Sequence, residues 1–198
     1  MTTLVRYLTH PEVEIDPHVP VPSWGLNATG RARADAFAQS RWLSGTTQIV
    51  SSGERKALET AAPIAHALGI DVEIREAMHE NDRSGTGFLP PAEFERVADA
   101  FFAEPDVSIS GWERAADAQA RICREADIVL ARPQKGDVLF VGHGGVGTLL
   151  LCSLMQVPIS RFHDQPGGGH YFTFTKERRE VIHGWRRMES PPEDDRQG

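Results

Sequence analysis

Two histidines carry the most chemistry in this chain. His10 closes a short apolar run in Leu8-Thr9-His10-Pro11, and His143 closes another, far along the sequence, in Phe140-Val141-Gly142-His143-Gly144-Gly145. An imidazole nitrogen without its proton attacks phosphorus well and forms a phosphohistidine, which splits ester hydrolysis into two steps. Such a nucleophile needs its other ring nitrogen held by a hydrogen bond, usually to a backbone carbonyl. It also needs preorganised donors for the charge on the transferring oxygens. His10 is the candidate nucleophile and His143 its electrostatic partner. The candidate donors are Lys56, Arg55 and the backbone amides of a helix opening at Gly144, whose positive dipole end favours anions. Glu80 is the candidate general acid, protonating a leaving alkoxide and then activating water.

For these residues to meet, both histidines must stand at strand ends of one sheet. Open α/β sheets place ligands in the crevice beyond the carboxyl ends of their strands, and strands and helices alternate here in that manner. The patterning predicts strands over 3–9, 47–50, 71–75 and 137–141, and helices over 30–43, 55–68 and 112–131. A hairpin of 171–175 and 180–185 closes the chain. Prolines make 11–23 a loop, and Gly69 offers a helix stop. Residues 80–112 read as an inserted lid, helical from 91 to 103, and 189–198 as a disordered tail. The expectation is a single domain over 1–188, a three-layer α/β/α sandwich around a mostly parallel sheet. Phe88, Phe94, Trp112 and Trp24 are expected to shape a partly apolar pocket at its active edge.

Four blocks in order resemble the histidine phosphatase superfamily, also called the phosphoglycerate mutase-like fold. They are Thr9-His10-Pro11, the run from Ser51-Ser52-Gly53-Glu54-Arg55-Lys56 to Thr60-Ala61, His79-Glu80-Asn81-Asp82, and Gly142-His143-Gly144-Gly145. The resemblance implies a cofactor-independent phosphatase with His10 as nucleophile and Glu80 and His143 beside it. The chain departs from that pattern twice. Thr9 and Pro11 stand where the family has arginine and glycine, so a guanidinium that would grip phosphate bidentately is missing. Lys56, four before Thr60, stands where the family usually has arginine. Successive helix positions point about 100° apart, so only one of Arg55 and Lys56 can face the pocket, and the register favours Lys56. Arg6 and Arg83 are the other candidates to replace the missing arginine.

Composition narrows the classes further. A chain of 198 residues with 40% apolar content can bury a core without staples. Cys123 and Cys152 show no metal-ligand spacing and read as reduced core thiols of a cytoplasmic protein. The net charge of −7 argues against nucleic acid, and no apolar run spans a membrane. The expected partner is a phosphorylated small molecule. No metal-binding spacing appears, and no cofactor is expected.

Three other readings compete. A catalytically weak phosphate-binding pseudoenzyme fits the lost arginine, and a phosphomutase would pass the phosphoryl group to a second hydroxyl. Gly142-His143-Gly144-Gly145-Val146-Gly147 also satisfies the G-x-G-x-x-G dinucleotide fingerprint, with Asp164 about 20 residues further on.

Overall fold

In the computed structural model, which describes residues 2–190, strands and helices follow one another as β1 (Leu4–Thr9), α1 (Ala28–Ala38), β2 (Thr46–Ser51), α2 (Arg55–Leu68), β3 (Val72–Ile74), α3 (Pro91–Ala103), α4 (Ala115–Leu130), β4 (Asp137–Gly142), α5 (Gly144–Leu154), β5 (His170–Thr175) and β6 (Val181–Arg187). They form one sheet in the order β3-β2-β4-β1-β5-β6. The first four of these strands are mutually parallel, and β5 and β6 run antiparallel to their neighbours.

Every position of β1 and β4 is buried, as suits central strands covered on both faces. Successive side chains point to opposite faces. Tyr7, Phe140 and Phe172 therefore pack with Phe101, Ile122 and Leu149 of α3, α4 and α5. Leu8, Leu139 and Tyr171 pack on the other face with Phe37, Ala61 and Ile64 of α1 and α2. The result is the expected three-layer α/β/α arrangement with a mostly parallel sheet. No helix among the described residues is long and apolar enough to cross a membrane.

Local chemistry moved some boundaries. α1 begins two residues before the expected start because Asn27 Oδ1 accepts the Gly30 N–H at 2.9 Å, satisfying a free donor of the first turn. It ends at Ala38, and a 3₁₀ turn over Arg41–Gly45 takes up the rest of the expected helix. α2 stops where expected, at Gly69, whose φ of +66° suits glycine. α4 starts at Ala115, three residues late, because Trp112 is drawn into the core under α3.

That burial corrects one expectation. Trp112 is 2% exposed and donates its ring N–H to Thr86 Oγ1 at 2.8 Å, so it is a core residue and does not shape a pocket. Phe88 does meet Trp24, at 6.0 Å between ring centroids, joining the 80–112 segment to the proline-rich loop. Of the expected disordered tail, Glu189 pairs with Arg33 at 2.6 Å and the Ser190 carbonyl accepts from Tyr171 Oη at 2.9 Å. Residues 191–198 lie outside the described residues.

The glycines around His143 answer to packing. A Cβ on Gly142 would strike the Tyr7 hydroxyl, and one on Gly147 would lie 2.6 Å from the Tyr7 ring and 2.9 Å from Trp185. The dinucleotide reading fails on topology too. α5 leads into β5, which is antiparallel to β1, so no βαβ unit follows the motif. Asp164 caps a 3₁₀ turn, accepts from Thr148 Oγ1 at 2.8 Å and closes no strand. Gly147→Ala is expected to cost roughly 1–3 kcal/mol of stability, the range for overpacking a filled core. Urea unfolding would read it, and an unchanged midpoint would remove the packing explanation.

Candidate active site

The site is built from backbone that continues past four strand ends. The His10 N–H donates to the Gly142 carbonyl at 3.1 Å, the Ser52 N–H to the Val141 carbonyl at 3.1 Å, and the Arg75 N–H to the Ser51 carbonyl at 2.9 Å. These bonds extend the ladder by one residue and deliver His10, Ser52, the segment carrying Glu80, and His143 to one edge. The His10 and His143 rings lie 5.4 Å apart between centroids, inclined at 65°.

His10 is held in one tautomer. Its Nδ1 lies 2.9 Å from the Pro11 carbonyl oxygen, which can only accept, so Nδ1 carries the proton and Nε2 keeps its lone pair. Its own carbonyl accepts from the Gly169 N–H at 2.9 Å, which anchors the glycine-rich run 167–169 against the site. Burial first, then the positive field of His143 and Lys56, lowers the His10 pKa to about 3. The ring is therefore neutral at physiological pH.

His143 is completely buried, with Nε2 2.8 Å from Ser52 Oγ and Nδ1 without a hydrogen-bond partner. Its backbone is clamped from below by the Tyr7 hydroxyl, which accepts the His143 N–H and donates to the His143 carbonyl, each at 3.2 Å. Burial lowers the His143 pKa to about 4, although the carboxylates of Glu54 and Glu80 pull the other way.

Glu80 reaches the same edge but sits differently from its expected role. Its carboxylate accepts the N–H groups of Gly145 at 3.0 Å and Val146 at 2.9 Å, and Arg83 lies 3.2 Å away. Burial alone would raise its pKa, but Arg83, His143 and the two amides hold it down to about 2. The free protein thus holds Glu80 as an anion capping α5, a proton acceptor first and a donor only after taking a proton. It also occupies the helix-end amides assigned from sequence to phosphate, while Gly144 itself faces the Gln165 amide.

The cations sort clearly. Lys56 points inward, 4% exposed, and donates to the Val21 carbonyl at 2.9 Å and to the Glu54 carboxylate. Arg55 lies on the surface and pairs with Glu59 at 2.7 Å, so the phosphate contact expected of it is not built. Arg6 is pinned to Asp137 at 3.1 Å, at the opposite end of the sheet. Arg83 stacks between Phe94 and Trp112, about 5 Å from each ring centroid, and reaches the site only through Glu80 and Asn81. In the place of the family's arginine, the Thr9 hydroxyl donates to Gln165 Oε1 at 2.7 Å and accepts the His170 N–H at 3.0 Å.

Sequence reasoning missed four residues here. Glu54 is a buried carboxylate that contacts Lys56, accepts the Glu80 N–H at 2.8 Å and lies 3.6 Å from His143 Nε2. Its place two residues before Lys56, at the mouth of α2, was the available signal. Ser52 stood in the quoted block without a role. Gln165 comes from an irregular loop with no motif. Arg121, on α4, donates to the carbonyls of Ala77, His79 and Glu80 and so holds the loop that presents Glu80. Among the described residues no cluster of His, Cys, Asp and Glu could hold a metal ion.

The sequence profile of the histidine phosphatase superfamily, branch 1, matches residues 16–183, and the chain belongs to that superfamily. The match begins after His10, in keeping with the divergence of the leading block. No curated protein matches the sequence. Among solved structures, the fold is shared with a mycobacterial glucosyl-3-phosphoglycerate phosphatase in complex with inorganic phosphate (TM-score 0.75, 19% identity, 96% of this chain and 100% of that one). It is shared with Bacillus stearothermophilus YhfR (0.77, 20%, 92% and 95%). It is shared too with an Entamoeba histolytica phosphoserine phosphatase in complex with 3-phosphoglyceric acid (0.72, 19%, 93% and 98%).

The pKa shifts set a pH signature. An unfolded histidine binds its proton near pH 6.5, whereas His10 and His143 wait until about 3 and 4. Below about pH 6.5 the unfolded state binds more protons, so stability falls on acidification. Glu80 adds loss in the same direction below its ordinary range, as the pH falls toward 2. The melting temperature is expected to decline from pH 6.5 toward pH 4 while NMR shows both imidazoles still neutral at pH 5. A titration of either ring near 6.5 would contradict the burial argument.

Proposed function

We propose that the chain is a cofactor-independent phosphatase that hydrolyses a phosphorylated small molecule through a phosphohistidine at His10. The observation that carries this reading is the Nδ1 contact to the Pro11 carbonyl, which leaves His10 Nε2 unprotonated beside the His143 ring. His10 Nε2 attacks phosphorus and the ester oxygen departs. Lys56 and His143 meet the charge on the phosphoryl oxygens. Glu80 handles the proton. A bound phosphoryl anion repels its charge and raises its proton affinity, so Glu80 can carry a proton to the leaving oxygen and then take one from the water that releases phosphate from His10. This cycle needs no metal and returns the imidazole to its starting state.

A second reading has one observation in its favour. Thr9 offers a hydroxyl already engaged by Gln165 and His170 where the family has a cation, which suits a weak phosphate-binding pseudoenzyme. Transfer to a second hydroxyl, as in a mutase, would require the phosphohistidine to outlive water attack, and nothing in the pocket favours that.

A metal-free screen of phosphomonoesters, run beside His10→Ala, separates these readings. Turnover is expected in the wild type and lost in the variant, with an acid-labile, base-stable phosphoryl group trapped on quenching. Undiminished turnover in His10→Ala would sink the mechanism. Lys56→Ala is expected to lower kcat/KM by about tenfold to a thousandfold, the range for losing one charge-stabilising donor. Arg55→Ala should leave it unchanged, and a collapse there would transfer the phosphate contact to Arg55.

A further inference from the structure

The charged groups facing the pocket cancel one another. From the mouth of α2 come Lys56 and the buried Glu54 that contacts it. From the segment after β3 come Glu80 and Arg83, paired at 3.2 Å. β1 and β4 supply His10 and His143, both neutral at physiological pH because of burial. Behind them the Tyr7 phenol, raised above its ordinary range by burial, stays neutral as well. Arg121, behind Glu80, is matched by Glu113 at 2.7 Å. Among the described residues these groups pair two cations, Lys56 and Arg83, with two anions, Glu54 and Glu80, and leave no positive charge over. Lys56 already spends two of its three protons, on Val21 and Glu54.

The cost of burying an ion rises with the square of its charge, and opposing charge and hydrogen-bond donors must recover it. A site with no surplus cation therefore resists a dianion far more than a monoanion. Glu54 is responsible for the balance. It is 9% exposed, it spans Lys56, the Glu80 amide and the neighbourhood of His143 Nε2, and without it the pocket would carry one net positive charge.

We propose that Glu54 is a specificity-determining residue that tunes this pocket to a phosphoryl group bearing a single negative charge and against the dianion of a phosphomonoester. This rests on the phosphohistidine reading above and concerns only which ionic form the same site accepts. The shared chemistry is a monoanionic phosphoryl group, supplied either by a monoester carrying one proton or by a phosphodiester. In the second case His10 displaces one alkoxide, leaving a phosphohistidine ester that water hydrolyses to a monoester.

Inorganic phosphate tests the charge preference directly, because it passes from monoanion to dianion between about pH 5.5 and pH 8.5 while His10, His143, Glu54 and Glu80 stay in one state. Calorimetry on the wild type is expected to show affinity falling by about tenfold or more across that range. In Glu54→Gln the fall should disappear or reverse, and in Glu54→Asp, which keeps the charge, it should persist. Equal wild-type binding at both pH values overturns the proposal without reference to any variant. So does a Glu54→Gln profile identical to the wild type, or no binding by either protein. Binding that emerges only in Glu54→Gln supports it.

The two sources are told apart by turnover of p-nitrophenyl phosphate against its methyl diester at pH 8. A wild type selective for diesters should cleave the diester in preference, and Glu54→Gln should shift the kcat/KM ratio toward the monoester by about tenfold or more. An unmoved ratio counts against Glu54. Failure of the phosphohistidine reading itself would look different: turnover would survive in His10→Ala, whatever the charge preference.

Discussion

Everything at this site depends on the parallel pairing of β1 with β4. Their register sets Thr9 opposite Gly142, so the next residue of each strand, His10 and His143, emerges at the same edge although most of the chain lies between them. A one-residue slip would turn each side chain to the other face. Tyr7 would then leave the His143 peptide it clamps, and Arg6 would leave Asp137. That ion pair fixes the far end of the same two strands, with Asp137 also accepting the Leu4 N–H at 3.1 Å. The two ends of the β1–β4 pair are therefore locked by different chemistry, a buried charge pair below and a phenol–peptide clamp above.

On this frame the charges at the site form a coupled set. Thr9 removes a cation, and the vacated position is knitted into contacts with Gln165, from the loop before β5, and with His170 of β5. Glu54 adds an anion that neutralises Lys56. Glu80 turns onto the first amides of α5, where dipole and hydrogen bonds hold it ionised. Lys56 is thus matched by Glu54 and Arg83 by Glu80. Such a pocket stabilises the empty protein, since every buried charge has its partner, and demands that a ligand break a contact on entering. Among the described residues, His143 Nδ1 and Asn81 Nδ2 are buried polar atoms beside the site without a hydrogen-bond partner.

Much of this was legible in the residues because it follows from period and punctuation. The nearly continuous apolar run of β4, the stop at Gly69 and the helix beginning at Pro91 are local facts. Helix geometry required that only one of Arg55 and Lys56 face inward, and the place of Lys56 four before Thr60 in the family pattern favoured it. What escaped notice was three-dimensional. Arg6 looked available until Asp137, from the distant β4, claimed it. Trp112 read as a pocket-lining aromatic because nothing local says that α3 folds back over it. Glu54 stood in the quoted block without a role, and only the meeting of α2 with the Glu80 loop shows its carboxylate facing inward. Gln165 lies in a segment without periodicity, where sequence carries no positional signal.

The central claim is that His10 Nε2 and the His143 ring address one phosphorus atom. A crystal structure with vanadate, which adopts the five-coordinate geometry of phosphoryl transfer, tests it most directly. The expected result is vanadium bonded to His10 Nε2, with Lys56 Nζ and His143 on its oxygens and Arg55 still on Glu59. Vanadate bound elsewhere, or held in this pocket with His10 Nε2 out of bonding reach of vanadium, would contradict the account.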